Sequence, residues 1–128
     1  MPRLRAVLLP FCLVVACLTA APAVAAPSQQ VFVHLFTVPT VLPGGEDAAG
    51  QTAALRAWLA ETFGGFTRLG QGEGGWKNEQ GRLETEANTT YLVTAPRDVA
   101  KEIEERLRRD FGVRVPYVLV FPAAVSQP

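Results

Sequence analysis

The stretch from residue 64 to residue 86 lies in the middle of the chain and contains its one plausible hairpin turn, Asn78-Glu79-Gln80-Gly81. Most of the eleven glycines fall in this stretch, and Trp76 stands just before the turn. Gly81 supplies the left-handed conformation that follows a type I turn. Two antiparallel strands must therefore enter and leave this turn, and every other element has to be arranged around that pair.

Before the hairpin, the sequence predicts one strand and one helix. The run 31–38 is rich in β-branched and aromatic residues in both alternating sets, which is typical of a central strand buried on two sides. A loop containing Pro39 and Pro43 follows. A helix is predicted for 48–63, with Asp47 as candidate N-cap and Gly64 as its stop. Its apolar face carries Leu55, Trp58, Leu59, Thr62 and Phe63.

After the helix, the prediction is strand, hairpin, strand, helix and strand. The second strand begins at 66–69, and its glycines favour a bulged or edge strand. The third strand returns from Arg82 and is strongest at 89–93. A second helix is expected to open at Ala95-Pro96 and to be capped by Gly112. Its buried stripe is Val99, Ile103, Leu107 and Phe111, and a fourth strand at 116–121 precedes a tail, 122–128.

The resulting order, βαββαβ with one hairpin in the middle, is the pattern of an α+β ferredoxin-like fold. Right-handed crossovers place both helices on one face of a four-stranded antiparallel sheet, in the order 4-1-3-2. The first and third strands are then central, and the glycine-rich second strand is an edge.

The N-terminus is interpreted as an export signal outside this domain. Arg3 and Arg5 precede an apolar run, 6–18, that is too short for a stable membrane span. Two processing routes stay open: a signal peptide, 1–25, cut after Ala25, or a lipoprotein signal, 1–16, with Cys17 lipidated. Residues 26–128 form the single ferredoxin-like domain, which would be secreted to the periplasm or cell exterior, or tethered as a lipoprotein.

Charge and composition limit the classes of partner. Cleavage after residue 25 leaves ten basic and twelve acidic residues, a net charge of −2, so no nucleic acid partner is expected. Both cysteines, Cys12 and Cys17, lie in the signal, so the domain has no disulfide. One histidine and scattered acids do not form a metal site, and no cofactor is expected.

A ferredoxin-like sheet leaves one face without helices, and strand alternation predicts which residues lie there. On the third strand the polar set Glu84, Glu86, Asn88 and Thr90 is assigned to this open face. On the first strand, His34 with its alternation partners Phe32 and Phe36 is assigned to the same face, because histidine is harder to bury than valine or leucine. On the fourth strand the flanking residues are Tyr117, Leu119 and Phe121, or else Val118 and Val120.

Two functions from different classes follow from this arrangement. The leading hypothesis is a non-enzymatic module that binds a small ligand or an envelope protein on the open face, as a homodimer, with candidate ligand-binding residues Phe32, Phe36, Trp76 and Asn88. The alternative is a small dimeric α/β-barrel-type enzyme in which His34 and Glu86 transfer a proton. An inhibitor-like module that presents its edge strand ranks third, because glycines make that edge a poor pairing surface.

The sequence also resembles a family of small exported bacterial proteins, often lipoproteins, that is classed as a domain of unknown function. The resemblance rests on Gly65-Phe66-Thr67, on Gly74 or Gly75 before Trp76, on the turn closed by Gly81, and on an acid near Glu84 or Glu86. It continues through 99–121 and covers roughly residues 30 to 121. It implies a ferredoxin-like fold and a cell-envelope location, supplies no reaction, and adds Thr67 to Trp76 and Glu86 as residues worth testing.

Overall fold

A computed structural model describes residues 28–126 of the chain. The predicted signal peptide, its alternative at Cys17 and the last two residues lie outside the described residues. The elements follow one another as predicted, and their bounds are β1 Ser28–Pro39, α1 Ala49–Phe63, β2 Thr67–Lys77, β3 Leu83–Ala95, α2 Ala100–Phe111 and β4 Val118–Ser126.

The four strands form one antiparallel sheet in the order β2-β3-β1-β4. This is the predicted order, so the ferredoxin-like α+β architecture is confirmed, with β1 and β3 central and β2 and β4 at the edges. Both helices pack on the same face, where the buried core lies. Each fully buried aliphatic or aromatic side chain there contributes about 1.5–3 kcal/mol. The core consists of Phe36, Val38, Ala48, Leu55, Leu59, Tyr91, Val93, Ala95, Val99, Ile103, Leu107 and Phe111.

The hairpin between β2 and β3 has the predicted turn and the predicted irregularity. Gly81 has φ 74°, and its N–H donates to the carbonyl of Asn78 at 2.8 Å. The Asn78 side-chain oxygen accepts from the backbone N–H groups of Gln80 and Arg82, at 3.0 and 2.9 Å. The β2–β3 register shifts between Arg68 and Gly70, which is the bulge that the glycines favoured.

The helix ends also follow from identifiable residues. Asp47 lies one residue before the cap position, and its carboxylate accepts from the N–H of Ala49 at 2.6 Å. Gly64 and Gly112 end the two helices in the left-handed conformation, with φ 81° and 66°. At Gly112 the backbone N–H donates to the carbonyl of Arg108 at 3.2 Å.

Two predicted boundaries are wrong by about five residues, while the others agree to within about three. The second helix does not open at Ala95-Pro96: Ala95 stays in β3, paired with Phe32, and α2 begins at Ala100. The predicted tail after Phe121 is instead a continuation of β4 to Ser126, paired with the start of β1. Pro122 does not interrupt this strand, because an edge strand tolerates proline where its missing N–H would face solvent.

Candidate functional site

The open face of the sheet has a polar half on β2 and β3. Directly opposite residues of an antiparallel pair point to the same face, so the pairs Gly72↔Asn88, Gly74↔Glu86 and Trp76↔Glu84 share one surface. Asn88 also lies opposite Pro39 of β1, whose odd-numbered residues face away from the helices. We call these six residues, Gly72, Gly74, Trp76, Glu84, Glu86 and Asn88, the polar strip.

Glycine gives the polar strip its floor, and Asn88 lies across it. A Cβ atom added at Gly74 would be 3.0 Å from Asn88 Nδ2, and one at Gly72 would be 3.5 Å from Asn88 Oδ1. The carboxamide therefore occupies the space that side chains at these two positions would need. Asn88 is only 7% exposed. Within residues 28–126, no hydrogen bond of its side chain is found.

The two carboxylates of the polar strip have different surroundings. Glu84 Oε1 accepts from Asn78 Nδ2 at 2.7 Å, which ties it to the hairpin turn. Glu86 remains solvent-accessible, and the burial it does have raises its pKa above the ordinary value of 4.5. Trp76, at the hairpin end of the strip, is 47% exposed. A half-exposed indole offers a flat apolar surface with a polar edge.

The other half of the open face, on β4 and β1, is apolar. Leu119, Phe121 and Val125 of β4 are 43%, 45% and 42% exposed, and Leu119 lies opposite the half-buried Leu35 of β1. We call Leu35, Leu119, Phe121 and Val125 the apolar patch. Its position settles the alternative left open for the fourth strand, because Val118 packs against the core and Leu119 and Phe121 face outward.

The assignment of His34 to the open face is wrong. His34 lies opposite Val93, a core residue, on the helix side of the sheet, and it has no exposed surface. Its Nε2 accepts from the backbone N–H of Val99 at 2.9 Å and lies 3.3 Å from Asp98 Oδ1. A neutral imidazole that accepts at Nε2 carries its proton on Nδ1. His34 thus supplies a hydrogen-bond acceptor to the backbone just before α2.

Asp98 completes this start of α2. Its Oδ1 accepts from the N–H of Ala100 at 2.9 Å, and that bond lowers the pKa of Asp98 below its ordinary value of 3.8. Two consecutive backbone donors, those of Val99 and Ala100, are therefore satisfied by the side chains of His34 and Asp98. The role that this geometry supports for His34 is the satisfaction of a backbone N–H group, not acid–base chemistry.

The structure therefore separates several residues that the sequence analysis placed together. His34 and Glu86 lie on opposite faces of the sheet, so they form no proton-transfer pair. Phe36 is in the core with no exposed surface, and Phe32, on the same face of β1, is half-buried. Thr67 is exposed at the far end of β2 from Trp76, opposite Leu92. Of the candidates, Trp76, Glu86 and Asn88 come together.

Sequence reasoning missed two features, one on the open face and one on the helix side of the sheet. Val125 falls in the predicted tail, 122–128. Its place in the strand could have been recognised, because Leu119, Phe121, residue 123 and Val125 form one unbroken apolar alternation. The pairing of His34 with Val99, by contrast, joins residues 65 positions apart and has no local signature.

No family model and no curated protein matches the chain. Solved structures do. CutA1 from Oryza sativa is 16% identical, with a TM-score of 0.56 over 78% of this chain and 85% of that one. CutA from Xylella fastidiosa is 20% identical, with a TM-score of 0.53 over 77% and 88% of the two chains.

A Bacillus cereus protein related to NIF3 is 12% identical, with a TM-score of 0.55 over 78% of this chain. The match covers 27% of that protein, so this chain spans about a quarter of its length. Sequence identities of this size establish a shared architecture and nothing about activity. The chain is thus similar in fold to the two CutA proteins and to part of the NIF3-related protein.

Proposed function

We propose that this protein is an exported, non-enzymatic binding module of the cell envelope whose open sheet face holds a second copy of the same chain. The observation that carries the proposal is the apolar patch, in which three large side chains of one strand are each more than two-fifths exposed. Contiguous apolar surface of this kind on a folded domain marks a contact site more often than isolated exposed residues do.

The size of the patch indicates how strong such an association would be. Its side chains expose on the order of 300 Å² of apolar surface, given 150–250 Å² for each large side chain. Burying that area on two copies is worth about 15 kcal/mol at 25 cal/mol per Å². The loss of free motion on association costs about 4–15 kcal/mol, which leaves about 0–11 kcal/mol. The middle of that interval, about 4–8 kcal/mol, corresponds to a Kd in the micromolar to millimolar range, and this is the range we expect.

A twofold axis parallel to β4, between two facing sheets, brings β4 of one copy over β4 of the other and places the remaining strands of the two copies on opposite sides. The apolar patch then packs on itself, which is the self-complementary contact of a twofold dimer. The same operation moves the polar strips away from the centre of the contact. A polar rim around an apolar centre is the usual composition of such an interface.

Sedimentation velocity from about 1 µM to about 1 mM tests this proposal, because that range brackets the expected Kd. The sample is the chain from residue 26 on, which contains every described element and the whole core. The average mass should rise with concentration. Leu119→Glu should weaken self-association by at least about tenfold, since it places a charge at the centre of the contact.

Leu83→Glu is the matched control. It is the same substitution on a strand residue that is 73% exposed, but Leu83 alternates with the open-face residues and lies on the other side of the sheet. It should leave self-association unchanged. A mass that stays monomeric throughout, or equal effects of the two variants, would overturn the proposal.

Export is the second component of the proposal, and it rests on the basic-then-apolar leader and on the family resemblance. Mass spectrometry of the protein purified from an envelope fraction tests it. A mature chain that begins at Ala26 supports the signal peptide, 1–25, and a diacylglyceryl-modified Cys17 supports the lipoprotein route. An unprocessed chain in the cytosolic fraction would contradict both.

A further inference from the structure

We propose that the polar strip binds a linear polyamine, a flexible chain of ammonium groups laid along β2 and β3 over the glycine floor. This inference deepens the proposed binding role of the open face, because it names a ligand for the half that the second copy leaves free. It draws on four features of the strip: carboxylates without a cationic partner, an amide without a hydrogen-bond partner among residues 28–126, a half-exposed indole and a floor of glycines.

The carboxylates of the strip lack cationic partners. Among residues 28–126, none of the five ion pairs includes Glu84 or Glu86. The basic residues of the described strands are Arg68 and Lys77, and both lie opposite residues of the helix-side face, Tyr91 and Leu83. The open face of the sheet therefore carries negative charge without compensation. An organic cation complements it, and an anion is disfavoured.

Asn88 is the second, independent observation. A side-chain amide can take part in several hydrogen bonds, and its unused donors and acceptor are open to a ligand where they reach solvent. Among residues 28–126, the buried side-chain nitrogen and oxygen atoms that lack a hydrogen-bond partner are His34 Nδ1 and Arg106 Nε, so the amide atoms of Asn88 do reach solvent. Asn88 is more than nine-tenths buried, and its amide lies over Gly72 and Gly74 without a protein partner in the described part of the chain. Its Oδ1 is an acceptor available to an N–H donor that lies along the strip.

The spacing of the acceptors favours an extended ligand. Successive positions on one face of a strand are about 6.8 Å apart, so Glu84, Glu86 and Asn88 form a row of acceptors at nearly regular intervals. Ammonium groups joined by short methylene spacers can meet such a row one after another. At the hairpin end, the face of Trp76 can hold an ammonium group or its methylenes through cation–π and apolar contact.

A metal ion fits the strip poorly. No group of three or more histidine, cysteine or acidic side chains that could hold a metal is found among the described residues. Two carboxylates spaced along an open strand do not converge on one point, as a divalent ion requires. Separate ammonium groups on one flexible chain need no such convergence.

Titration with spermidine, followed by the ¹⁵N–¹H signals of Gly72, Gly74 and the Asn88 side-chain amide, tests the proposal. These signals should shift and saturate below ~10 mM, where a Kd of 1 mM gives about 90% occupancy. Glu86→Gln should weaken binding about fivefold or more, and Trp76→Ala should weaken it as well. The matched control, Glu73→Gln, alters an exposed acid that pairs with Ala87 on the other face and should change binding by less than about twofold.

Three outcomes would overturn the proposal: shifts that never saturate, equal shifts with magnesium chloride, or an affinity unchanged in Glu86→Gln. Performed on the Leu119→Glu variant, the titration does not require the second copy. Failure of self-association and failure of polyamine binding are therefore seen separately.

Discussion

Alanine substitution at three glycines separates three contributions to the stability of this fold. Gly50 lies in the first turn of α1, with no positive φ and nothing within 4 Å of an added Cβ. Gly81 in the hairpin has φ 74° and also has open space around it. Gly112 after α2 has φ 66°, and an added Cβ would be 3.0 Å from the Cγ of Pro43. For an alanine, Gly50 therefore presents no obstacle, Gly81 presents a left-handed backbone, and Gly112 presents a left-handed backbone together with a close contact.

Alanine reduces the conformational entropy of the unfolded chain, so Gly50→Ala should stabilise the protein by about 0.5 kcal/mol. At Gly81 that gain is outweighed by a left-handed penalty of about 1–2 kcal/mol, for a net loss of about 1 kcal/mol. At Gly112 the contact with Pro43 adds a packing cost of about 1 kcal/mol or more, for a total of about 2–3 kcal/mol.

Thermal unfolding followed by circular dichroism checks this series. For a domain of this size each kcal/mol shifts Tm by about 4–8 °C, so Gly112→Ala should lower Tm by roughly 10–20 °C and Gly50→Ala should raise it by a few degrees. A Gly81→Ala variant that is more stable than wild type would refute the backbone argument. Equal losses at Gly81 and Gly112 would show that the loop carrying Pro43 moves aside at no cost.

Two further predictions concern the residues of the sheet faces. His34→Leu keeps the core apolar but removes the acceptor of the Val99 N–H. Native-state hydrogen exchange at Val99 should therefore accelerate about tenfold or more, while Leu107 keeps its protection. Unchanged exchange at Val99 would contradict the role assigned to His34. Burial raises the pKa of Glu86, so folding favours its protonated form, and the ionised form lowers stability above the ordinary pKa of 4.5. Glu86→Gln should therefore be more stable relative to wild type at about pH 7 than at about pH 3 in urea titrations, and the reverse trend would refute this sign.

The order of elements and the strand order were predictable because they depend on features repeated along the chain. The apolar stripe Ile103, Leu107 and Phe111 and the glycine stop at Gly112 are local signals that tertiary packing reinforces. The sheet order follows from the right-handed crossover connections and from the single hairpin, which makes β2 and β3 neighbours. Individual side-chain contacts are not needed to derive it. The polar face of β3 was predictable for the same reason, since its alternation is unambiguous.

Local pattern does not determine which face of β1 packs under the helices. Both alternating sets of this strand are apolar, so the decision rested on the cost of burying His34. That cost is reduced by the Val99 N–H, which comes from the segment before α2 and which no local pattern reveals. Phe32, Phe36 and Val38 alternate with one another on the same face as His34. These bulky side chains indicate the buried face more reliably than His34 does, because they fill the space under the helices.

The boundary errors have a common cause. By their usual local preferences, Pro96 predicts a helix start and Pro122 predicts a strand end. In the fold, the pairing of Ala95 with Phe32 holds β3 in the sheet up to Pro96, and the pairing of Pro122 with Phe32 holds β4 through Pro122. Sheet pairing with a central strand outweighs a weak local preference at both places.

The pairing of Ser28 with Ser126 places the two ends of the described fold side by side. A domain whose two ends lie side by side can be inserted into a surface loop of another protein. The two ends of the interrupted loop then stay close together, so the host fold need not change. The same closeness suits it to circular permutation, with new ends opened at the tip of the β2–β3 hairpin. The NIF3-related protein, of which the match covers 27%, carries this architecture within a much longer chain. The βαββαβ unit is therefore suited to insertion as a complete domain within a longer chain.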